Sequence, residues 1–510
     1  MSVVVAAIDL GAESGRVAGV SFDGATLELQ IAHRFAHVPR TTSGWLHWDL
    51  DEIWANVQKG LSNLAGRGAV ASTGVDTWGL DYGLYGRKGE LLGAPTAYRD
   101  AHRVECFDDA IRTLGPQTIY DATGIQLMEI NSLFGLMAEK SNRAEHFAKV
   151  DRILMMPDVM HRLLSGSSVT EYTAASTSGM FDTRRGEWAT ELLDLVELPA
   201  HIMPEVVAPG TDIGAVVGDL AVGGLSETRV IAPPAHDTAS AVLAIPDAGR
   251  QTLFISSGTW SLVGVVLEAP IINAAARSAN MTNEGGYGGT TRFLRNVMGL
   301  WVLQECRRQW QRDGQTFGYQ ELVDLAAAEA PLRSVINTNA IDFLAPGDMP
   351  RRIQNYCRAN AIAVPETVGQ ITRTIIDSLA LSYRLVAEDI ASITGTPLHS
   401  IAVVGGGGAN GLLQQATADA TGLPVVCWAR EATALGNAVS QLRTLGELNS
   451  QREMWDVIRA STQTHTYEPA AHHRWHEGAH KLRQLERAEA RRRGLEETEP
   501  TSLVSDNHRA

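Results

Sequence analysis

VVVAAIDLGAESGR, residues 3–16, sets a β-branched apolar run against a short polar stretch punctuated by glycine. Val3 to Ile8 has strand composition, and Asp9, Gly11 and Gly15 close it. Arg16 to Phe22 and Leu27 to Phe35 continue as two more strands about Asp23-Gly24, which predicts an antiparallel opening meander. Outward from it, Leu50, Ile53, Trp54, Val57, Leu61 and Leu64 recur at helical spacing, with Asp49 or Asp51 as cap and Gly66 as stop. Val70–Val75 and Tyr82–Tyr85 read as strands around the loop 76–81, and helices are expected near 103–113, 132–140 and 157–164. Strands alternating with helices predict a layered α/β domain.

The strand, glycine turn, strand pattern returns in TLFISSGTWSLVGVVL, residues 252–267. A third instance, SIAVVGGGG at 400–408, runs into an expected helix over 409–421 stopped by Gly422, a strand over 424–428 and a helix from Ala432. Glycine-turn hairpins are common, so the first two alone leave a duplication open. Pro246, Asp247 and Gly249 mark a boundary, giving an N-terminal unit 1–246, a second unit 247–446 and a segment 447–510. That last segment is read as a C-terminal helix and, over Arg487–Ala510, a solvated or disordered tail.

At 510 residues, 44% of them hydrophobic and 20% charged, the chain can bury more than one core. Its formal charge of -15 repels a phosphate backbone, so no nucleic-acid partner is expected. Cys106, Cys306, Cys357 and Cys427 lie far apart and are read as free thiols suited to a reducing cytoplasm. No run approaches the roughly 20 apolar residues of a membrane span.

GxxxxGK[ST] is missing, as is the protein-kinase set of HRD, DFG and APE, so a nucleotide needs another cradle. The turn Asp9–Arg16 can supply one: its glycines expose N–H groups, Ser14 and Arg16 add donors, and Asp9 can hold magnesium through water. In isolation an ordinary hairpin turn is the blander reading, and Glu13 sets a negative charge beside any phosphate. His236-Asp237 follows a strand end, where α/β sheets place catalytic groups; there Asp237 is a candidate base and equally a candidate helix cap. Asp76-Thr77-Trp78-Gly79-Leu80-Asp81 joins an aromatic platform to two carboxylates, as a polyol site requires, and a capped turn on a core tryptophan is its rival. His472, His476 and His480 fall at i, i+4 and i+8, but without a completing ligand they read as a solvated helical face.

Taken in order, DLGAESGR, GVDTWGLDYGL, AYRD, GIQ, MPD, EYTAAST, AHDTASAV, SSGTWSLVG, TNEGG, NVMGLWVLQE, VVGGGGAN and EATALGN resemble the FGGY carbohydrate kinases of the actin-like ATPase superfamily. The likeness spans about residues 3–443. MGLW at Met298–Trp301, SSGTWSL at Ser256–Leu262 and AYRD point to the branch acting on rhamnulose. This resemblance implies two duplicated ribonuclease-H-like α/β domains, each with a five-stranded sheet, closing on ATP and a ketose in a central cleft. The implied reaction is transfer of the γ-phosphoryl of ATP to the C1 hydroxyl of L-rhamnulose, with magnesium, in the catabolism of L-rhamnose. By the same resemblance Asp237 is the base, and Trp78, Gly79, Asp81, His236, Thr238 and Asn296 line the sugar site. Ala12, Glu13, Ser14, Gly15, Arg16, Thr259, Gln304, Gly405, Gly406 and Gly407 contact ATP, and Asp9 sits near magnesium through water. Where many relatives carry Cys-Gln after the third glycine, this chain has Gly408-Ala409.

Three alternatives compete. Another ketose, such as L-fuculose or L-xylulose, keeps the enzyme class, because few residues reject one epimeric hydroxyl. A non-sugar actin-like ATPase would share the phosphate loops but has no need of HDT or TWGLD. A sugar sensor without activity would have lost Asp237 or those loops, and both are present.

Overall fold

The computed structural model describes residues 2–470 and 474–495. β1 (Val3–Leu10), β2 (Ser14–Phe22) and β3 (Leu27–Ala36) form the meander, each antiparallel to the next. α1 (Leu50–Ala65) buries Ile53, Val57, Leu61 and Leu64, and the Asp49 carboxylate caps it by accepting from the Glu52 amide. β4 (Ser72–Thr77) then pairs parallel to β1, as a helical crossover allows. β5 (Thr211–Ala215), β6 (Arg229–Ala232) and α2 (Asp237–Leu243) complete the unit, with sheet order β5-β6-β4-β1-β2-β3.

Between β4 and β5 lies an inserted helical region. The strand Tyr82–Tyr85 pairs there with Arg152–Met155 in a small separate sheet. The helix expected over 103–113 runs instead from His102 to Thr123. Gly115 adopts φ +78° and Pro116 takes the first turn of a second segment, so the chain kinks and continues.

The second domain repeats the plan with β7 (Thr252–Ser257), β8 (Trp260–Leu267), β9 (Thr282–Gly285), β10 (Thr291–Met298), α3 (Trp301–Arg312), α4 (Val368–Thr394), β11 (Ser400–Val404), α5 (Gly411–Thr421), β12 (Val425–Cys427) and α6 (Ala432–Thr444). A further strand, β13 (His465–Tyr467), closes the order β9-β10-β8-β7-β11-β12-β13. The five strands β3-β2-β1-β4-β6 and β10-β8-β7-β11-β12 match pair for pair in order and direction. The duplication left open by pattern alone is therefore present. Each sheet exceeds the expected five strands, because β5 and β13 add antiparallel edges at equivalent places and β9 extends the second sheet.

α5 begins at Gly411 rather than Ala409: residues 406–409 make a 3-10 turn, and Asn410 caps the helix by accepting from the Leu413 amide. α6 leaves its own sheet to pack on β1, β4 and α2. A Cβ at Gly436 would sit 1.8 Å from the Ser240 carbonyl oxygen, so only glycine lets α6 and α2 approach this closely.

The segment after 446 is more ordered than expected. α7 (Arg474–Arg492) buries Trp475, Leu482 and Leu485, while Glu489 accepts from the Ile341 amide and Arg493 pairs with Glu129. Residues 496–510 and His472 lie outside the described residues; His476 and His480 are exposed, as expected of a solvated face. Among the described residues no helix is long and apolar enough to cross a membrane.

Candidate active site

Neighbouring strands bring three carboxylates to one end of the first sheet. Asp9 on β1 stands in register with Asp76 on β4, and Thr77 forms a bridge with His236 beyond β6, so that Asp237 follows alongside. Burial is the largest influence on all three. It raises Asp9 to about 6, with Arg16 opposing and Asp237 adding repulsion, and it holds Asp76 well above the usual carboxylate range. Asp237 is raised for the same reason, with His236 as the first opposing charge. Asp76 Oδ2 accepts from Asn437 Nδ2 at 2.6 Å, while Asp76 Oδ1 and Asp9 Oδ2 lack hydrogen-bond partners. Asp9 Oδ2 lies 3.2 Å from Arg16 Nε.

Asp9 and Asp237 border a cavity of about 280 Å3 between the domains, and Asp76 lies buried beside them outside its lining. Of the residues singled out in the sequence, Asp9, Ala12, Glu13, Ser14, Arg16, Trp78, Gly79, His236, Asp237, Thr238, Asn296, Thr259, Gln304, Gly405 and Gly406 all line it. Three turns contribute to its lining. In the first, the Gly11 amide donates to the Ser14 carbonyl at 3.0 Å; in the second, the Gly258 amide donates to the Trp260 carbonyl at 2.8 Å. The third opens on Gly405 at φ +87°. The charge of Glu13 is met by Arg308, and Arg16 bridges Asp9 and Glu431.

Trp78 also lines the cavity, packed on Trp48 at 4.3 Å and His37 at 5.3 Å between ring centroids. His236 Nε2 lies 3.4 Å from Asp237 Oδ1, and the Thr238 amide donates to that same oxygen at 2.6 Å.

Three of the expected contacts fall outside the cavity lining. Asp81 is fully buried: its Oδ2 accepts from Trp48 Nε1 at 2.6 Å and Trp78 Nε1 at 2.8 Å, and its Oδ1 accepts from Arg103 Nη2 at 3.1 Å. Its acceptors are committed, so it supports the tryptophans rather than a sugar hydroxyl. Gly15 sits within the β1–β2 ladder, where a Cβ would meet the Phe35 ring at 2.4 Å. Gly407 packs on Ser257, whose hydroxyl oxygen a Cβ would approach to 2.0 Å.

Family models of the FGGY carbohydrate kinases match twice, the N-terminal domain over residues 4–244 and the C-terminal domain over residues 253–445. The chain belongs to the FGGY family of carbohydrate kinases. It is 41% identical over 465 residues to a rhamnulokinase of Bacteroides thetaiotaomicron, covering 91% of this chain and 95% of that one. To a rhamnulokinase of Yersinia pestis strain Pestoides F it is 38% identical over 466 residues, with 91% and 94% covered. In fold it is similar to a gluconate kinase from Lactobacillus acidophilus (TM-score 0.75, 17% identity, 97% and 98% covered) and to a xylulose kinase from Rhodospirillum rubrum (TM-score 0.75, 16% identity, 97% and 100% covered).

This FGGY kinase also draws into its cavity residues whose motifs carried no assigned role. Gln126, from the GIQ triplet, accepts from the Asn296 amide at 2.7 Å through Oε1 and so ties the inserted region to β10. Glu284, from TNEGG, lies 3.1 Å from Arg292 Nη1. Asn131 and Thr177 line the cavity from the inserted region. Gln126, Glu284 and Thr177 lie in motifs quoted above and Asn131 does not, but no local pattern gives any of them a role, because each reaches the cavity through long-range packing.

Proposed function

We propose that this FGGY kinase transfers the γ-phosphoryl group of ATP to the C1 hydroxyl of L-rhamnulose, giving L-rhamnulose 1-phosphate and ADP. The observation that carries the substrate is the 41% identity over nearly the whole length of a protein named rhamnulokinase. Asp237, raised by burial and open to the cavity, takes the proton from the C1 hydroxyl as that oxygen attacks phosphorus. His236 and Thr238 orient Asp237 and the sugar. Trp78 stacks on a C–H face of the ketose, Gly79 leaves room for it and Asn296 closes the site from the second domain.

On the nucleotide side, backbone N–H groups of Ala12–Ser14, Thr259 and Gly405–Gly406 bind the phosphates, with Arg16 and Gln304 beside them. The Asp9 carboxylate at the cavity is a hard donor that fits magnesium held through water, and Asp76, with Oδ1 free of hydrogen bonds, stands in register beside it. When bound, magnesium supplies charge neutralisation on the β- and γ-phosphates. We assign units 1–246 and 247–446 to the two lobes and the cytoplasm, where ATP is available, as the compartment.

The test is ADP release with magnesium and ATP against L-rhamnulose, L-fuculose, L-xylulose, D-xylulose, glycerol and no sugar. The highest kcat/KM is expected for L-rhamnulose. A clear preference for another ketose moves the substrate and keeps the chemistry, and turnover indifferent to every sugar overturns the reading.

A further inference from the structure

His236 is held between two domains that treat its ring nitrogens differently. On one side Nε2 lies 3.4 Å from Asp237 Oδ1 and rests against Gly79, where a Cβ would come within 3.3 Å of it. On the other side Nδ1 lies 3.2 Å from Arg292 Nη1 on β10 and 3.4 Å from Glu284 Oε2 on β9. Arg292 is 1% exposed. Its Nε donates to the Gly285 carbonyl at 2.8 Å, and its Nη1 is 3.1 Å from Glu284 Oε2.

A guanidinium only donates and stays charged at every working pH, so a ring nitrogen at hydrogen-bond distance from it must offer a lone pair. We propose that Arg292 fixes the proton of His236 on Nε2, the nitrogen that faces Asp237 and the sugar cavity. The inference rests on the sugar-kinase reading for its purpose and on this contact for its content.

Glu284 alone would favour the opposite tautomer, drawing a proton onto Nδ1. Its Oε2, however, lies 3.1 Å from Arg292 Nη1, closer than the 3.4 Å that separates it from His236 Nδ1. The charged and titratable groups about this contact are Asp237 on the histidine's own loop, Glu284 and Arg292 from the second sheet, and Glu171 and Tyr172 behind Arg292. His236 then presents an N–H to a sugar oxygen or to the Asp237 carboxylate, leaving that carboxylate free to take the C1 proton. Arg292 is a positioning residue that acts through His236. It belongs to the second domain, so the correct tautomer exists only while the domains are together.

The experiment is nitrogen NMR of the full chain labelled at histidine, with His236→Gln to assign the ring. Wild type is expected to show a protonated Nε2 and a bare Nδ1, and a proton on Nδ1 overturns the proposal without reference to activity. In Arg292→Met the proton should move to Nδ1, with the sugar KM rising about tenfold or more and the ATP KM unmoved. Arg292→Lys, which keeps a donor, should restore the wild-type pattern. A shift in thermal stability with an unchanged nitrogen pattern in Arg292→Met makes the residue structural only and overturns the proposal. If Arg292→Met does not fold, the wild-type and Arg292→Lys spectra still decide. A wild-type Nε2 proton in a protein that ignores L-rhamnulose would sink the substrate and keep the tautomer.

Discussion

Asp237 and Asp9 share one carboxylate cluster, and their substitutions should separate chemistry from stability. Asp237→Asn keeps the shape and removes the proton acceptor, so kcat should fall roughly 10²- to 10⁴-fold while calorimetric sugar binding survives. Near-normal turnover would remove Asp237 from the base role. Asp9 is raised from 3.8 to about 6 by burial, so the fold holds a proton that the unfolded chain has lost between those values. Stability therefore falls as pH rises through that window, and above about pH 6 the buried charge costs about 3 kcal/mol. Without nucleotide or magnesium, Asp9→Asn should be more resistant to urea than wild type at pH 8, with the advantage shrinking to about half at pH 5. An advantage of equal size at both pH values would deny the buried charge its part. Asp81 gives the opposite lesson: a carboxylate next to a tryptophan in the sequence is a support in the fold, because Trp48, Trp78 and Arg103 use up its oxygens.

The three glycine turns owe their shape to what lies beneath them as much as to their own glycines. Ser257 at the end of β7 fills the space under the third turn, which is why Gly407 tolerates no side chain although it does not line the cavity. Gly407→Ala should lift the turn, raise the ATP KM about tenfold and leave sugar binding intact, and Ser257→Gly in the same chain should recover most of the loss. Equal damage to ATP and sugar binding would mean that the domain interface has moved. Elements of this kind were legible in the sequence. The meander, α1 with its Asp49 cap and all three glycine turns follow from short-range patterns of period two, period 3.6 and glycine placement. The kinked helix His102–Thr123 was cut short because Gly115-Pro116 has the local signature of a stop, and the fold uses it as a bend.

At the scale of the molecule the two sheets are one design used twice, and α6 joins them. Gln441 on α6 donates to the Ala6 carbonyl at 3.1 Å and accepts from the Ser72 hydroxyl at 2.7 Å, while Asn437 holds Asp76, so a helix of the second unit completes the acidic floor of the first. No boundary drawn at Pro246 foretells that exchange. By itself the sequence determined the α/β class, the repeated strand and glycine-turn plan, the family and about half of the residues lining the cavity, because each leaves a mark within a few neighbours along the chain. Only the tertiary structure decided which carboxylates face the cavity and which are spent on support, that Gln126 and Glu284 reach the site, and that Arg292 stands against His236. Those outcomes depend on which side chains meet across hundreds of residues and on burial, which sets their charge, and neither is written in local spacing.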